Sequence, residues 1–506
     1  MSDNLRTSGV FLPIFSLPGD YGIGTISSGA RQFIDFLSLA GFSYWVVLPL
    51  GPTGFANSPF QSFSSRALNY YLIDFDDLVD RGILKKKDFM DIDWGDDPKK
   101  IDYHKIYQNK VNVLKIAFRR FKKGIGEYQR GYTTFLRKNR FLDWACFMVL
   151  KEQNGGKAWN QFELVYREYS SERFQKFRHE YKDDVEFYLW TQYIFLRQWN
   201  ELREYAHSKG VKIIGDMPMH VSYDSIDVYK HHRNFLLTNS GEMKYVAGYP
   251  PDVFYSKGQV WGTPLYDFDY LRRSDYRLFR DRLNFAYDLF DIIILDHFRG
   301  YLENYVLPVD SKDGLQGRWE KEDGLSVIKT IIQDNKRVIA ENVDFHSDEL
   351  NEVLQNSHIK DERVIEFGYP REMGNYNQPI NYNYNNISFS STHDCKPLKA
   401  YLESLSESDK RLAENQINKD CRHFGVREVT REDVKGQVEA LLELNLASLS
   451  SIAIQSMNDL LFLGEESRIN KPSTVGDNWT FRIQKEDISN ANAKHLHALN
   501  KRYGRC

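Results

Sequence analysis

Eight short apolar runs recur along the chain, and most of them close on a polar or charged residue. They are Gly9–Ser16, Tyr44–Leu50, Val211–His220, Asp291–Asp296, Arg337–Glu341, Arg363–Phe367, Ile387–Asp394 and Ser451–Gln455. The fourth is the plainest: Ile292, Ile293, Ile294 and Leu295 are consecutive, which predicts a strand buried on both faces. Side chains alternate along a strand, so Ile294 and Asp296 share a face, as do Ile339 and Glu341. Helical spacing fills the intervals. Phe33, Ile34, Phe36 and Leu37 mark one helix, and residues 188–208, 276–289 and 409–449 carry longer helical patterns. Strand, helix and strand in alternation form the unit of a parallel sheet. Eight such units predict an α/β fold, a (β/α)8 TIM barrel with large, mostly helical insertions between its strands.

Two stretches interrupt the alternation. Residues 81–209 are charged, aromatic and helical in pattern, and read as an inserted helical subdomain. Residues 221–275 are rich in Gly, Pro and aromatics, and read as a long inserted loop region with a functional role. Residues 368–386, dense in Asn, Tyr and Pro, read mostly as a surface loop. With 506 residues the chain exceeds an average domain, and a single barrel over residues 1–506 with insertions accounts for that length.

A net charge of -3 provides no basic field for nucleic acid or anionic lipid. The four cysteines, Cys146, Cys395, Cys421 and Cys506, show no metal spacing and suggest free thiols in a reducing compartment. The stretch from Met1 to Ser8 has no apolar signal core, and no run is long enough to cross a membrane, so a cytoplasmic location is expected.

Four of the eight runs carry an acid near their C-terminal end: Asp216, Asp296, Glu341 and Asp394. Carboxylates delivered by different strands of a parallel barrel converge at one face. Retaining glycosidases and transglycosylases need such a set. One carboxylate attacks the anomeric carbon and a second, ~5–5.5 Å away, exchanges a proton with the leaving and incoming oxygens. The same acids with His297 or His393 could also ligate Mg²⁺ or Mn²⁺, although no Gly-rich phosphate loop accompanies them. Aromatic residues make up 14% of the chain, and flat rings line sugar clefts as well as cores. Trp45 lies inside an apolar run and reads as core. Tyr21 and Phe60 sit in loops at strand tips, where core and substrate roles are equally open, and Glu366 reads as a structural hydrogen-bonding group.

Several longer motifs add to this. Gly215-Asp-Met-Pro218, Ala247–Phe254, Gly258–Gly262, Asp296–Gly300, Ala340-Glu341 and Thr392-His-Asp394 together resemble the amylomaltase or 4-alpha-glucanotransferase (disproportionating enzyme) family of the α-amylase clan, over nearly the whole chain. The resemblance implies a (β/α)8 barrel that needs no cofactor and no metal. It implies transfer of α-1,4-glucan segments between malto-oligosaccharides or maltodextrin, or to glucose as acceptor. Asp296 then matches the nucleophile, Glu341 the general acid/base and Asp394 the transition-state stabiliser. Asp216, His297 and His393 match residues holding the sugar in the cleaved subsite. Trp261 and the segment with Tyr249, Asp252 and Phe254 match the part that closes over the acceptor, and Ser58, Arg299 and Asn470 complete the expected substrate contacts. The chain departs from the family at four places. Ile294 stands where the family has Arg, Asn342 where Asp usually follows the acid/base, Phe60 in place of a common Tyr, and Cys395-Lys-Pro397 in place of a polar run. An Arg at 294 would favour an ionised nucleophile, which Ile cannot do. Two alternatives to transfer therefore stay open at this point: hydrolysis of α-1,4-glucans in the same cleft, and a glucan-binding protein with weakened catalysis.

Overall fold

The computed structural model describes residues 6–26, 28–125, 128–251, 256–322, 324–332, 337–342, 348–357, 359–371 and 374–506. Among them run twelve strands: β1 (Thr7–Phe11), β2 (Tyr44–Val46), β3 (Lys212–Met217), β4 (Tyr245–Tyr249), β5 (Gln259–Pro264), β6 (Ile292–Leu295), β7 (Glu303–Pro308), β8 (Arg318–Lys321), β9 (Val338–Ala340), β10 (Lys360–Val364), β11 (Asn386–Phe389) and β12 (Ile452–Ser456). Eight of them close into a barrel in the order β1-β12-β11-β10-β9-β6-β3-β2, every pair parallel. Seven of the eight barrel strands coincide with apolar runs, because a strand wrapped by helices outside and packed side chains inside is mostly apolar on both faces. Trp45 is fully buried, and its indole N–H donates to the Leu12 carbonyl at 2.8 Å.

The sixth barrel strand lies earlier than its apolar run. It spans Lys360–Val364, and Ile365–Gly368 turns away as a 3-10 helix that carries Glu366. The polar start of this strand hid it. Asp361 and Arg363 are nonetheless buried, and they neutralise each other at 2.5 Å.

The larger correction concerns 221–275. The stretch is not only loop: β4 and β5 lie in it, and with β7 and β8 they form a four-stranded antiparallel sheet in the order β5-β4-β7-β8. Gly248, Gly262 and Pro264 blur the alternation that would announce these strands. Residues 368–386 are likewise not a surface loop throughout. Tyr369 and Tyr382 are buried in a second apolar cluster with the helices of 398–447. Asn side chains there serve the backbone, as when Asn377 Oδ1 accepts from Val364 N at 2.9 Å.

Between β2 and β3 run the helices Tyr103–Lys122, Leu142–Gln153, Ser171–Glu180 and Lys182–Ser208. The last begins with Asp183 and Asp184 and ends near His207, charges suited to the two ends of a helix dipole. All four cysteines are free thiols. Among the described residues no helix is long and apolar enough to cross a membrane.

Candidate active site

At the C-terminal ends of the barrel strands lies a cleft of about 890 Å³, lined by Asp296, Glu341 and Asp394. A Cβ on Gly215 would stand 2.2 Å from the Phe290 ring, so only glycine lets the strand present Asp216 here. In register Asp216 lies beside Ile294, and Ile294 beside Ile339, all on the barrel interior. Asp296 follows directly after β6. His297 then takes φ 45° and ψ 56°, a left-handed conformation uncommon for residues other than glycine. The turn aims the His297 N–H at Glu341 Oε2, 2.6 Å away, and the Phe298 N–H at the Glu341 carbonyl, 3.0 Å away. Glu341 is hydrogen-bonded in turn to Asp296, which also accepts from the Met219 N–H.

Negative charge is concentrated here, and among the described residues no cation forms an ion pair with Asp216 or Asp296. Burial raises Asp296 most, the charges of Asp216 and Asp394 add to it, and the carboxyl reaches about 8 despite its hydrogen bonds to Glu341 and Met219. Asp216 is raised well above the ordinary carboxylate range, first by burial and then by Glu341, Glu362 and Asp394. Its Oδ1 meets no hydrogen-bond partner among the described residues. Ile294 is 6% exposed and supplies only carbon. The three cations that could have replaced an arginine are placed elsewhere. Arg299 donates Nε to Glu303 at 2.8 Å and lies 3.3 Å from the Trp319 ring centre. Arg337 sits over Tyr287, and Lys212 is exposed at the far end of β3. Burial, with His220 and Arg299 adding to it, lowers His297 to about 3, so its imidazole is neutral.

Asp394 follows β11 and opens into the cleft. Asn470 Nδ2 donates to its Oδ1 at 2.6 Å, and Arg468 donates to its carbonyl at 3.1 Å. The Asn470 N–H is tied to the His393 carbonyl at 3.0 Å. His393 stands 3.3 Å from Asp394, and burial lowers its pKa. Phe60 stacks on His393 with ring centres 4.7 Å apart, while Tyr21 packs away from the cleft against Phe89 and bonds to Asp76. Ser58 lines the cleft, and its Oγ accepts from the Phe60 N–H at 3.2 Å. From the antiparallel sheet come Tyr249 and Trp261. Trp261 meets the His297 ring edge-on at 4.8 Å and is braced by Gln259 at 3.0 Å. Asn342 has a local reason for its departure from Asp: it bonds to the Asp361 carboxyl, beside which a second carboxylate would be repelled.

The cleft thus gathers Asp296, Glu341, Asp394, His297, Arg299, His393, Trp261, Tyr249, Ser58 and Asn470, with Asp216 lining a smaller pocket that adjoins it at Pro218 and His220. Asp252 and Phe254 lie outside the described residues. Two groups escaped the sequence reading. Arg282 is 1% exposed and donates to the Met219 carbonyl at 2.9 Å, fixing the segment whose N–H reaches Asp296. An arginine amid Leu278, Phe279, Leu283 and Ala286, on the apolar face of a helix, was its signal. His220 is the other, and its place among apolar neighbours gave no such signal. Among the described residues no three or more His, Cys, Asp or Glu side chains are arranged to hold a metal ion.

Comparison with known proteins agrees with this geometry. The family model described as 4-alpha-glucanotransferase matches residues 12–488. The 4-alpha-glucanotransferase of Clostridium butyricum is 34% identical over 499 residues, covering 97% of this chain and 99% of that protein. The one from Aquifex aeolicus is 35% identical over 493 residues, 96% of each. A solved amylomaltase from Streptococcus agalactiae in complex with acarbose superposes with a TM-score of 0.91 at 34% identity, covering 99% of both chains. With a model match spanning most of its length and relatives aligned end to end, the chain belongs to the 4-alpha-glucanotransferase family.

Proposed function

We propose that this 4-alpha-glucanotransferase moves α-1,4-glucan segments between malto-oligosaccharides, or to glucose, by two displacements at one carbon. The hydrogen-bonded pair Asp296 and Glu341 carries the reading. Carboxyls close enough to hydrogen-bond lie well inside the roughly 6.5–9.5 Å that an inverting site holds open for a water, which favours a retaining site. Asp296 as carboxylate attacks the anomeric carbon. Glu341 gives its proton to the departing glycosidic oxygen, and the donor segment is left as an ester on Asp296. The 4-hydroxyl of the accepting sugar then attacks that carbon, Glu341 takes the hydroxyl proton, and an α-linkage is restored. Asp394, oriented by Asn470, binds hydroxyls of the distorting ring, and His393 and the neutral imidazole of His297 add hydrogen bonds. Ser58, Arg299, Trp261 and Tyr249, with Asp216, Asp252 and Phe254, complete our assignment of sugar contacts. We also take 81–209 as a subdomain and 221–275 as an active-site region set into the one barrel, and place the protein in the cytoplasm.

Incubation with maltotriose tests the reading. Transfer yields glucose and a ladder of longer chains. Glucose and maltose without a ladder would mean hydrolysis, and an unchanged substrate would mean binding alone.

A further inference from the structure

Two buried polar side chains of the cleft, His220 and Thr263, have no part in the chemistry above. His220 follows β3, lines the cleft and is 8% exposed. One ring nitrogen faces the Pro264 carbonyl, which favours a proton there, and the other has no hydrogen-bond partner among the described residues. Thr263, on β5, also lines the cleft, is 4% exposed, and has an Oγ1 without a partner among the described residues. His297 Nε2 is in the same position. These groups surround one ring: Trp261 lies 5.7 Å from His220 and 4.8 Å from His297 between centres, and it is two residues from Thr263. Buried polar atoms are ordinarily satisfied, so several unsatisfied ones facing one cavity point to a ligand that supplies their partners. Burial and the nearby Arg282 charge hold His220 near 4, so its ring is neutral. A neutral imidazole that turns its N–H to a carbonyl keeps one bare acceptor, which takes the proton of a sugar hydroxyl.

Their neighbour Trp261 indicates which sugar that is, because the family resemblance matches it to the part that closes over the acceptor. In the closed ring of eight strands, β3, which leads to His220, lies four places from β11, which leads to His393 and Asp394. His220 thus stands across the cleft from those two, with the Trp261 ring 5.7 Å away. We propose that His220 and Thr263 form a notch that binds a hydroxyl of the accepting glucose. This rests on the transferase reading above and deepens it by naming what selects the acceptor.

The test uses maltotriose as donor and glucose, 2-deoxyglucose, 3-deoxyglucose or 6-deoxyglucose as acceptor. The 4-hydroxyl is the attacking group and stays. Formation of a maltotriose ladder without added acceptor first shows that the enzyme transfers at all; its absence would fail the transferase reading itself. For the wild type we expect one deoxy sugar to lose about tenfold or more in acceptor kcat/KM, an effect equal to about 1.4 kcal/mol. His220→Phe, which keeps a flat ring, should lose the same factor with glucose and no longer distinguish that deoxy sugar. Thr263→Val should do so in part, and His220→Asn should restore some discrimination. A lowered but still equally selective His220→Phe would assign a structural role only and overturn the proposal. So would a wild type indifferent to all three hydroxyls. Should His220→Phe fail to fold, undiminished selectivity in Thr263→Val and His220→Asn would overturn it equally.

Discussion

Replacing Ile294 by arginine should move the acid limb of the pH–rate profile. In the mechanism proposed above Asp296 must be ionised to attack, and its carboxyl stands at about 8 because burial and two neighbouring carboxylates oppose its charge. At pH 7 only about one molecule in ten then has the carboxylate form, and each further pH step down costs another factor of ten. Ile294 lies on the barrel interior between Asp216 and Ile339, one step below Asp296 on the same face. A guanidinium there would sit among Asp216, Asp296 and Glu362. At about 4 Å and an effective dielectric constant near 20, one such pair is worth about 4 kcal/mol. Withdrawing the guanidinium from water takes part of this back. The expected remainder lowers the Asp296 pKa by about 1–3. At pH 6 the activity should rise roughly tenfold each time that pKa falls by one. The longer side chain could cost about 1–3 kcal/mol of stability by overpacking, so both proteins are compared well below their melting temperatures and checked by circular dichroism. The assay is kcat/KM for maltotriose disproportionation from pH 5 to 9. Superimposable acid limbs in two folded proteins would show that position 294 does not tune Asp296, and that the charge environment assigned to this carboxyl is wrong.

Other outcomes follow from the same site. Asp296→Asn and Glu341→Gln should each abolish turnover with the fold intact, because shape is kept while charge or proton is lost; near-wild-type rates in either purified variant would refute the roles. Asp296 binds its proton more tightly in the folded state, since its value rises from 3.8 to about 8. Its contribution to stability is therefore full below about pH 4 and is lost as pH rises through about 8. Melting temperatures of wild type and Asp296→Asn should thus diverge between pH 5 and 9, the variant becoming relatively more stable; parallel curves would contradict the raised value. Asn470→Ala should lower kcat about tenfold or more, by releasing the 2.6 Å hold on Asp394, with little effect on stability; an unchanged kcat would exclude orientation of Asp394 by Asn470. Exhaustive chelation should leave activity as it was, and a loss restored by Mg²⁺ or Mn²⁺ would favour the metal reading.

By itself the sequence determined the barrel and the position of its acids. A parallel strand buried on both faces has to be written as an apolar run, so Ile292–Leu295 and its seven counterparts were legible, and alternation placed Asp296 and Ile294 on one face. Where burial is not apolar, or where glycine and proline break the alternation, local pattern carries little. Asp361 and Arg363 neutralise each other inside β10, and the antiparallel sheet is interrupted by Gly248, Gly262 and Pro264, so the one was displaced and the other read as loop. Charge environment was not legible at all. Whether a cation answers the acids depends on side chains distant in sequence. Only the folded chain shows Arg299 paired with Glu303 and stacked on Trp319, Arg282 clamped to the Met219 carbonyl, and Asp296 left among carboxyls. Strand pattern is a property of neighbours along the chain, whereas desolvation and Coulomb energy are properties of neighbours in space, which tertiary structure alone decides.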